Sequence, residues 1–550
     1  MADYYDLGTY SRKITTTAGE AQRWFDRGLN WCYGYNHDES VACFRRALEA
    51  DADCAMAWWG IAYASGCNYN KPWEAFDEDD AARSVATAYE AAREAKRLSV
   101  HATSVEQALI GALSARYPSA TPGDDMNAWN DDFAHSMREV HAVFSEDADV
   151  CALFAEALMN RTPWALWDLK SGEVADGADT LEAIDVLKAA MARDGGDRHP
   201  GLLHMYIHLM EMSPHPERAL KAGDQLRGLV PDAGHLEHMP THIDVLCGHY
   251  GTVINSNSAA IVADRKFLER DGPLHFYSLY RCHNYHFKIY GAMFLGQRKP
   301  ALEAAEEMIA TLPEELLTVT SPPMADWVEG FVPMKMHVLI RFGMWQEIVD
   351  TVLPQNQALF CTTTAMIHYA KGVAYAATGD IVNAEHQKTL FDAAFERVPE
   401  TRYVFNNTCI DILSVAAEML NGELEYRKGN IDQAFEHLRR SVELDDNLPY
   451  DEPWGWMQPT RHALGALLLE QGRVEEAETV YRADLGLDDT LARACQHPDN
   501  VWSLHGLHEC LVTLGKVDQA TFVRKRLDLA EARADEPIKA SCYCRMQHMS

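Results

Sequence analysis

A beat of about 34 residues runs through this chain and limits what it can fold into more than any other feature. Residues 21–54 set it: AQRWFDRGLNWCYGYNHDESVACFRRALEADADC. An aromatic lies on a first helix, a small residue four places on, then a turn, then a second helix carrying Phe and Ala. The beat returns as LGQRKPALEAAEEMIATLP at 295–313 and YRKGNIDQAFEHLRRSVELDD at 426–446. EQGRVEEAETVYRADLG at 470–486 and TLGKVDQATFVRKRLDLA at 513–530 repeat it again. Weaker units fall near 150–199, 329–362 and 365–398, for about ten or eleven helix pairs. One pair cannot bury its apolar stripe alone, but stacked pairs form a continuous core. A chain of 550 residues therefore needs no single large core.

These motifs resemble the tetratricopeptide repeat (TPR), and the resemblance covers most of the chain. It implies an all-α fold: a right-handed superhelix, or solenoid, of TPR-like helix pairs with loop insertions. It also implies a groove lined by the first helix of each pair, faced by the second, fifth, ninth and twelfth places. On that basis the chain divides into N-terminal repeats (1–199), a histidine-rich block (200–315), C-terminal repeats (316–534) and a Cys-x-Cys tail (535–550). Segments 66–80, 115–131, 160–180 and 445–460 break the period. Their Pro, Gly, Asn and Asp mark loops. Trp73, Trp164, Trp167, Trp454 and Trp456 suggest that these loops fold back over the groove; capping of repeat edges is the plainer alternative.

Three consecutive repeats carry histidines in phase. Counted from 200, 234 and 282, His204, His238 and His286 fall fifth, His208 and His242 ninth, and His235 and His283 second. Glu211 falls twelfth in the first unit and Tyr290 ninth in the third. On a helix the second, fifth and ninth places share a face. Two histidines four apart project together about 6 Å apart, and neighbouring helix axes lie about 8–10 Å apart. Pairs in register on adjacent helices can thus hold a mono- or dinuclear metal. Pro240 is tolerable only in a first helical turn, since mid-helix proline costs about 3 kcal/mol. A helix beginning near His238 puts His235 on the entering loop.

The bland reading of any single histidine is a surface or satisfied core residue: the chain has 24, and 11 lie between 199 and 286. His37, His368 and His497 read as structural. His462 and His505 fall fifth and His337 ninth in their own repeats, so they are candidates to line the same groove. For the in-phase set, His204, His208, His235, His238, His242, His283 and His286 are the expected ligands. Glu211 and Tyr290 are the expected proton-transfer or supporting groups. Imidazole-rich, carboxylate-poor donors suit copper first, then iron or zinc. The expectation is a metal-dependent oxidoreductase or monooxygenase using dioxygen on a small, apolar or aromatic molecule. The alternatives are a TPR interaction scaffold with a peptide partner, and a metal-binding protein without catalysis. The basic clamp that grips peptide carboxylates in the repeat family is missing from the three histidine-bearing repeats.

A net charge of −33, from 82 acidic and 49 basic residues, argues against nucleic acid and anionic membranes. No apolar run approaches the roughly 20 residues of a membrane span, and the start lacks a secretory pattern. Thirteen dispersed cysteines read as reduced cytoplasmic thiols. At the C-terminus, Cys542 and Cys544, with Met546, His548 and Met549 beyond, offer a soft-metal or disulfide pair; a disordered tail with two thiols is the blander reading.

Overall fold

The structure is a computed structural model that describes residues 4–488 and 490–548, with side chains through 545. Met549 lies outside the described residues, as do the side chains of Met546 and His548. Helix makes up 67% of it and strand almost none, so the chain is all-α.

Two compact units arise, Met1–Ile243 with Ala259–Asp271, and Asp244–Ser258 with Gly272–Ser550. In unit 1 the helices are α1 Gly19–Tyr33, α2 His37–Ala50, α3 Ala55–Ala64, α4 Glu78–Leu98, α5 Ser104–Arg116, α6 Asn127–Phe144, α7 Ala148–Met159, α8 Thr180–Met191, α9 Pro200–Glu211, α10 Leu220–Leu226 and α11 Gly234–His238. Helices α12 Pro240–Leu246 and α13 Tyr250–Asp271 run through the boundary. Unit 2 continues with α14 Ser278–Phe294, α15 Arg298–Ala310, α16 Glu314–Leu317, α17 Met324–Val328, α18 Met334–Arg341, α19 Trp345–Asp350, α20 Cys361–Ala377, α21 Ile381–Phe395, α22 Cys409–Lys428, α23 Ile431–Asp446, α24 Thr460–Glu470, α25 Val474–Asp484, α26 Val501–Thr513 and α27 Val517–Glu531. A two-residue hairpin, β1 Tyr403–Val404 against β2 Asn407–Thr408, precedes α22.

Consecutive helices pack in pairs, as α1 with α2, α3 with α4, α20 with α21 and α22 with α23, and first helices also touch the first helix of the following pair: α1 on α3, α3 on α5, α7 on α9, α20 on α22, α24 on α26. That is the TPR-like arrangement in both units. The small residues of the beat explain it. The Phe44 ring of α2 lies where a Cβ on Gly28 of α1 or on Gly60 of α3 would fall, 2.6 Å from its atoms in each case. Tyr481 of α25 sits likewise between Gly465 of α24 and Gly506 of α26. Glycine lets two backbones close on one buried ring, and the ring's burial holds the pairs together. The turns are built by caps. Asn36 accepts from the Glu39 amide at the start of α2, and Gly429, at φ 84°, ends α22 in the left-handed conformation that glycine adopts without strain.

The chain around Pro240 differs in one respect from the sequence reading. Pro240 does open a helix, α12, but His235 stands on the separate one-turn helix α11, not on a loop. The ladder breaks at Met239 because proline supplies no N–H to the preceding turn. The cysteines also differ. Cys542 and Cys544 are joined in a disulfide, and the tail that carries them is packed. The other eleven cysteines are free thiols, all buried except the half-buried Cys247.

Candidate metal centre

Helix α9 carries the first histidine pair, and its N-terminus is unusually well held. His199 caps it, its Nδ1 accepting from the Leu202 amide at 3.2 Å while Nε2 meets Asp149 Oδ1 at 3.2 Å. Pro200 follows at the first helical position, where its missing N–H is harmless. Asp149 is buried and also accepts from Tyr10, Tyr33 and Arg12; against its burial, His199 first and then Arg12 and Tyr33 hold its carboxyl well below the usual range. Tyr33 in turn presents its carbonyl to His204 Nδ1 at 2.7 Å. A carbonyl only accepts, so this contact places the proton on Nδ1 and the lone pair on Nε2. One turn later, His208 Nδ1 lies 2.9 Å from Glu211 Oε1. The carboxylate assigns the same tautomer there. Both Nε2 atoms are buried and have no hydrogen-bond partner among the described residues.

His235, from α11, completes a set with these two: its ligand atom and theirs all lie within 4.8 Å of one another. Three imidazole nitrogens around one ion at about 2.0–2.1 Å stand about 3.3 Å apart, so rotamer adjustments of about 1–1.5 Å bring the set to bonding distance. All three side chains are fully buried. Burial holds His204 well below its ordinary range and pushes His208 down to about 3. At neutral pH both rings are uncharged, the state a metal requires.

Glu211 joins this set to the second pair. Its Oε2 accepts from His242 Nδ1 at 2.7 Å while Oε1 accepts from His208. His208, Glu211 and His242 form a second group within 4.8 Å. His242 and His238 then meet Nε2 to Nε2 at 2.7 Å, one ring donating to the other. Because Glu211 takes up His242 Nδ1–H, the lone pair of His242 Nε2 faces the His238 proton. The carboxylate thus orients a ring in each pair, the device by which acidic groups set the ligand nitrogen of metal-bound histidine.

Aromatic rings wall the cluster. Tyr35 lies 4.7 Å from His204, 6.1 Å from His208 and 5.5 Å from His235, ring centre to ring centre. Tyr69 and Trp164 close on His208 at 4.9 and 5.9 Å, and on each other at 4.9 Å. Tyr69 and Trp164 come from the insertions at 66–80 and 160–180, which therefore fold back onto α9; Trp167 adds a hydrogen bond to the Leu209 carbonyl at 2.7 Å. Tyr35 and Trp164 hold φ of 54° and 59°. Bulky side chains avoid this left-handed region at a cost of about 1–3 kcal/mol, and such strain concentrates at functional sites. Neither ring was singled out by periodicity as a wall of the site. The one signal in the sequence was tryptophan in a loop, which flagged Trp164 but not Tyr35.

The remaining expected site residues lie on α14, in unit 2. His283 packs against Phe287 and against Phe405, which is itself at φ 48°. His286 places Nε2 2.8 Å from Met457 Sδ, and burial pushes its pKa down to about 3. Tyr290 is buried against Phe294, 4.2 Å between ring centres, and burial raises its hydroxyl well above 10. It is a protonated phenol at neutral pH. Of the secondary candidates, His462 and His497 both bond to buried Asp484, at 3.0 and 2.8 Å. His337 packs on Trp456.

No protein-family model matches the chain, and no curated protein matches it. Solved structures do. The Cut9–Hcn1 hetero-tetramer of the APC/C is 13% identical, with 90% of this chain and 78% of that chain covered at a TM-score of 0.31. The human IFIT1 dimer with m7Gppp-AAAA is 10% identical, with 94% and 91% covered at 0.33. Yeast Tom70 is 10% identical, with 92% and 99% covered at 0.29. At these identities and TM-scores nothing of those proteins' roles carries over to this chain.

Proposed function

We propose that this is a metal-binding TPR-like protein whose ion is held by His204, His208 and His235, with Glu211 as the orienting carboxylate. One observation carries the reading: a buried three-histidine set in which two rings are locked, by Tyr33 and Glu211, with unpartnered Nε2 atoms. A buried ring nitrogen left without a partner costs about 1–3 kcal/mol. Metal ligation offsets that cost. His238 and His242 form a second pair on the same carboxylate, and His283 and His286 are the ligand candidates of unit 2. Copper is the favoured ion, followed by iron or zinc, because neutral imidazole dominates the donor set.

A catalytic reading comes second. Three protein ligands leave coordination positions open, as catalytic metal sites do. The wall of Tyr35, Tyr69 and Trp164 suits an apolar or aromatic small molecule. Oxidation of such a molecule with dioxygen, with Glu211 as the supporting group, is the chemistry this reading assigns. A peptide-binding scaffold needs only the repeat architecture, and both roles can coexist in one chain. No described helix is long and apolar enough to cross a membrane, and the reading places the protein in the cytoplasm.

The test is elemental analysis of tag-free protein after incubation with Cu, Fe or Zn and desalting. At least one ion per chain, lost in His204→Ala/His208→Ala, is the expected result. A wild-type chain that retains none refutes the reading. Oxygen consumption by the loaded protein with aromatic substrates then separates catalysis from storage.

A further inference from the structure

The C-terminal segment does not trail from unit 2; an irregular stretch that ends in the 3-10 turn Tyr543–His548 is bound against helices of several pairs. Asp535 reaches the N-terminus of α15, where Oδ1 accepts from the Arg298 amide and Oδ2 from the Lys299 amide, each at 2.8 Å. That helix has no side-chain cap of its own, so the tail supplies it. Ser541, fully buried, bonds through Oγ to Tyr481 Oη at 2.5 Å and donates to the His462 carbonyl on α24 at 3.1 Å. Its carbonyl accepts from Arg341, at the end of α18, at 3.1 Å. The Cys544 carbonyl accepts from Arg427 of α22. Arg545 closes the run with a two-pronged pair to Glu509 of α26, both contacts at 2.7 Å. The stretch from Tyr543 also packs on α20 and α24.

Two kinds of recognition are present. Arg341 and Arg427 grip main-chain carbonyls and so read no side chain. Asp535, Ser541 and Arg545 are read through their side chains. The Arg545–Glu509 fork is geometrically selective in a way that a point charge is not. The receiving groups Arg341, Arg427 and Glu509 stand on three different pairs, so no single repeat makes the site, and none of them belongs to the histidine cluster of unit 1.

We propose that this face of unit 2 is a peptide-receiving surface filled in cis by residues 533–545. It would be opened by a peptide of matching pattern: a carboxylate, a small hydroxyl residue six places on, and an arginine four places after that. A tethered segment competes at an effective concentration of about 1 mM. Only a partner of higher local concentration or better fit displaces it. The proposal is independent of the metal reading.

The probe is a fluorescein-labelled synthetic peptide of residues 533–545, followed by anisotropy against the full-length chain. Wild-type protein should bind it at least tenfold more weakly than Asp535→Ala/Arg545→Ala, whose own tail has lost two of its three side-chain anchors. Adding Glu509→Lys to that variant should abolish binding of the native peptide and restore it for a peptide carrying glutamate at the position of Arg545. Hydrogen exchange at 541–545 guards against a tail that never loosens. Glu509→Lys alone should speed exchange there, and Glu509→Lys/Arg545→Glu should slow it again, with the far-UV helical signal unchanged. Equal peptide affinity in wild type and the tail variant overturns the proposal. So does exchange at 541–545 that ignores the Glu509→Lys substitution.

Discussion

Replacing Glu211 with glutamine puts the metal site under the sharpest strain with the least change of shape. The carboxylate is fully buried and accepts two Nδ1–H bonds, 2.9 Å from His208 and 2.7 Å from His242. Glutamine keeps one acceptor oxygen and turns the other corner into a donor. One histidine must then lose its Nδ1–H bond or flip its tautomer, and a flipped ring presents Nε2–H where the ion needs a lone pair. A hydrogen bond to a charged group contributes about 1.5–3 kcal/mol, and each 1.4 kcal/mol is tenfold in affinity, so the expected loss is about 10–100-fold. The metal-free protein should move much less. Glutamine removes a buried charge along with the bond, and the two effects oppose each other. Competition against a chelator of known affinity, on wild type and Glu211→Gln at pH 7.5, reads the first quantity; a thermal melt of the metal-free forms reads the second. Metal affinity unchanged within twofold would refute the orienting role. Loss of the cooperative melt would instead mean that Glu211 is a structural clamp.

Other outcomes follow from the same structure. The buried His208 ring, at about 3 against an ordinary 6.5, stays neutral in the folded chain while the unfolded chain takes up a proton. Its contribution to stability is therefore complete above pH 6.5 and is lost as pH falls toward 3. In metal-free protein the stability difference between wild type and His208→Gln should shift by about 2 kcal/mol against wild type between pH 8 and pH 5, measured by urea unfolding; no shift would mean the ring is not buried neutral. Phe44→Ala should destabilise unit 1 by about 3–5 kcal/mol, because the ring fills the space between Gly28 and Gly60, and metal affinity of the folded fraction should hold. Trp164→Gly should relieve the left-handed backbone and open the wall beside His208, raising solvent quenching or metal exchange rates without removing the ion. An ion that exchanges no faster would remove the ring from the site.

Much of the fold was readable because its causes are local. The spacing of small and aromatic residues dictates which surfaces close on each other, as Gly28, Phe44 and Gly60 show. Helix caps such as Asn36 need only their neighbours. His204, His208 and Glu211 share a face for the same local reason, and Pro240 marked the restart of the helix after Met239. The rest depends on distant partners. Nothing in the repeat phase shows that the carbonyl of Tyr33 sets the tautomer of His204, or that Tyr35 turns left-handed beneath three imidazoles. His286 illustrates the converse. It is in phase with His204 and His238, yet its Nε2 meets Met457, from an insertion that has no periodic place. The docking of Ser541 and Arg545 likewise has no local signature, since their partners lie on four other helices.

The central claim is that the neutral, pre-oriented imidazoles of His204 and His208 grip an ion together with His235. X-ray absorption on protein loaded with one equivalent of copper or zinc tests it directly. The account predicts nitrogen scatterers at about 2.0 Å with the multiple-scattering pattern of imidazole, and their disappearance in His204→Ala/His208→Ala while the helical signal persists. A hydrated ion with no imidazole pattern, or an unchanged spectrum in the double variant, would contradict it.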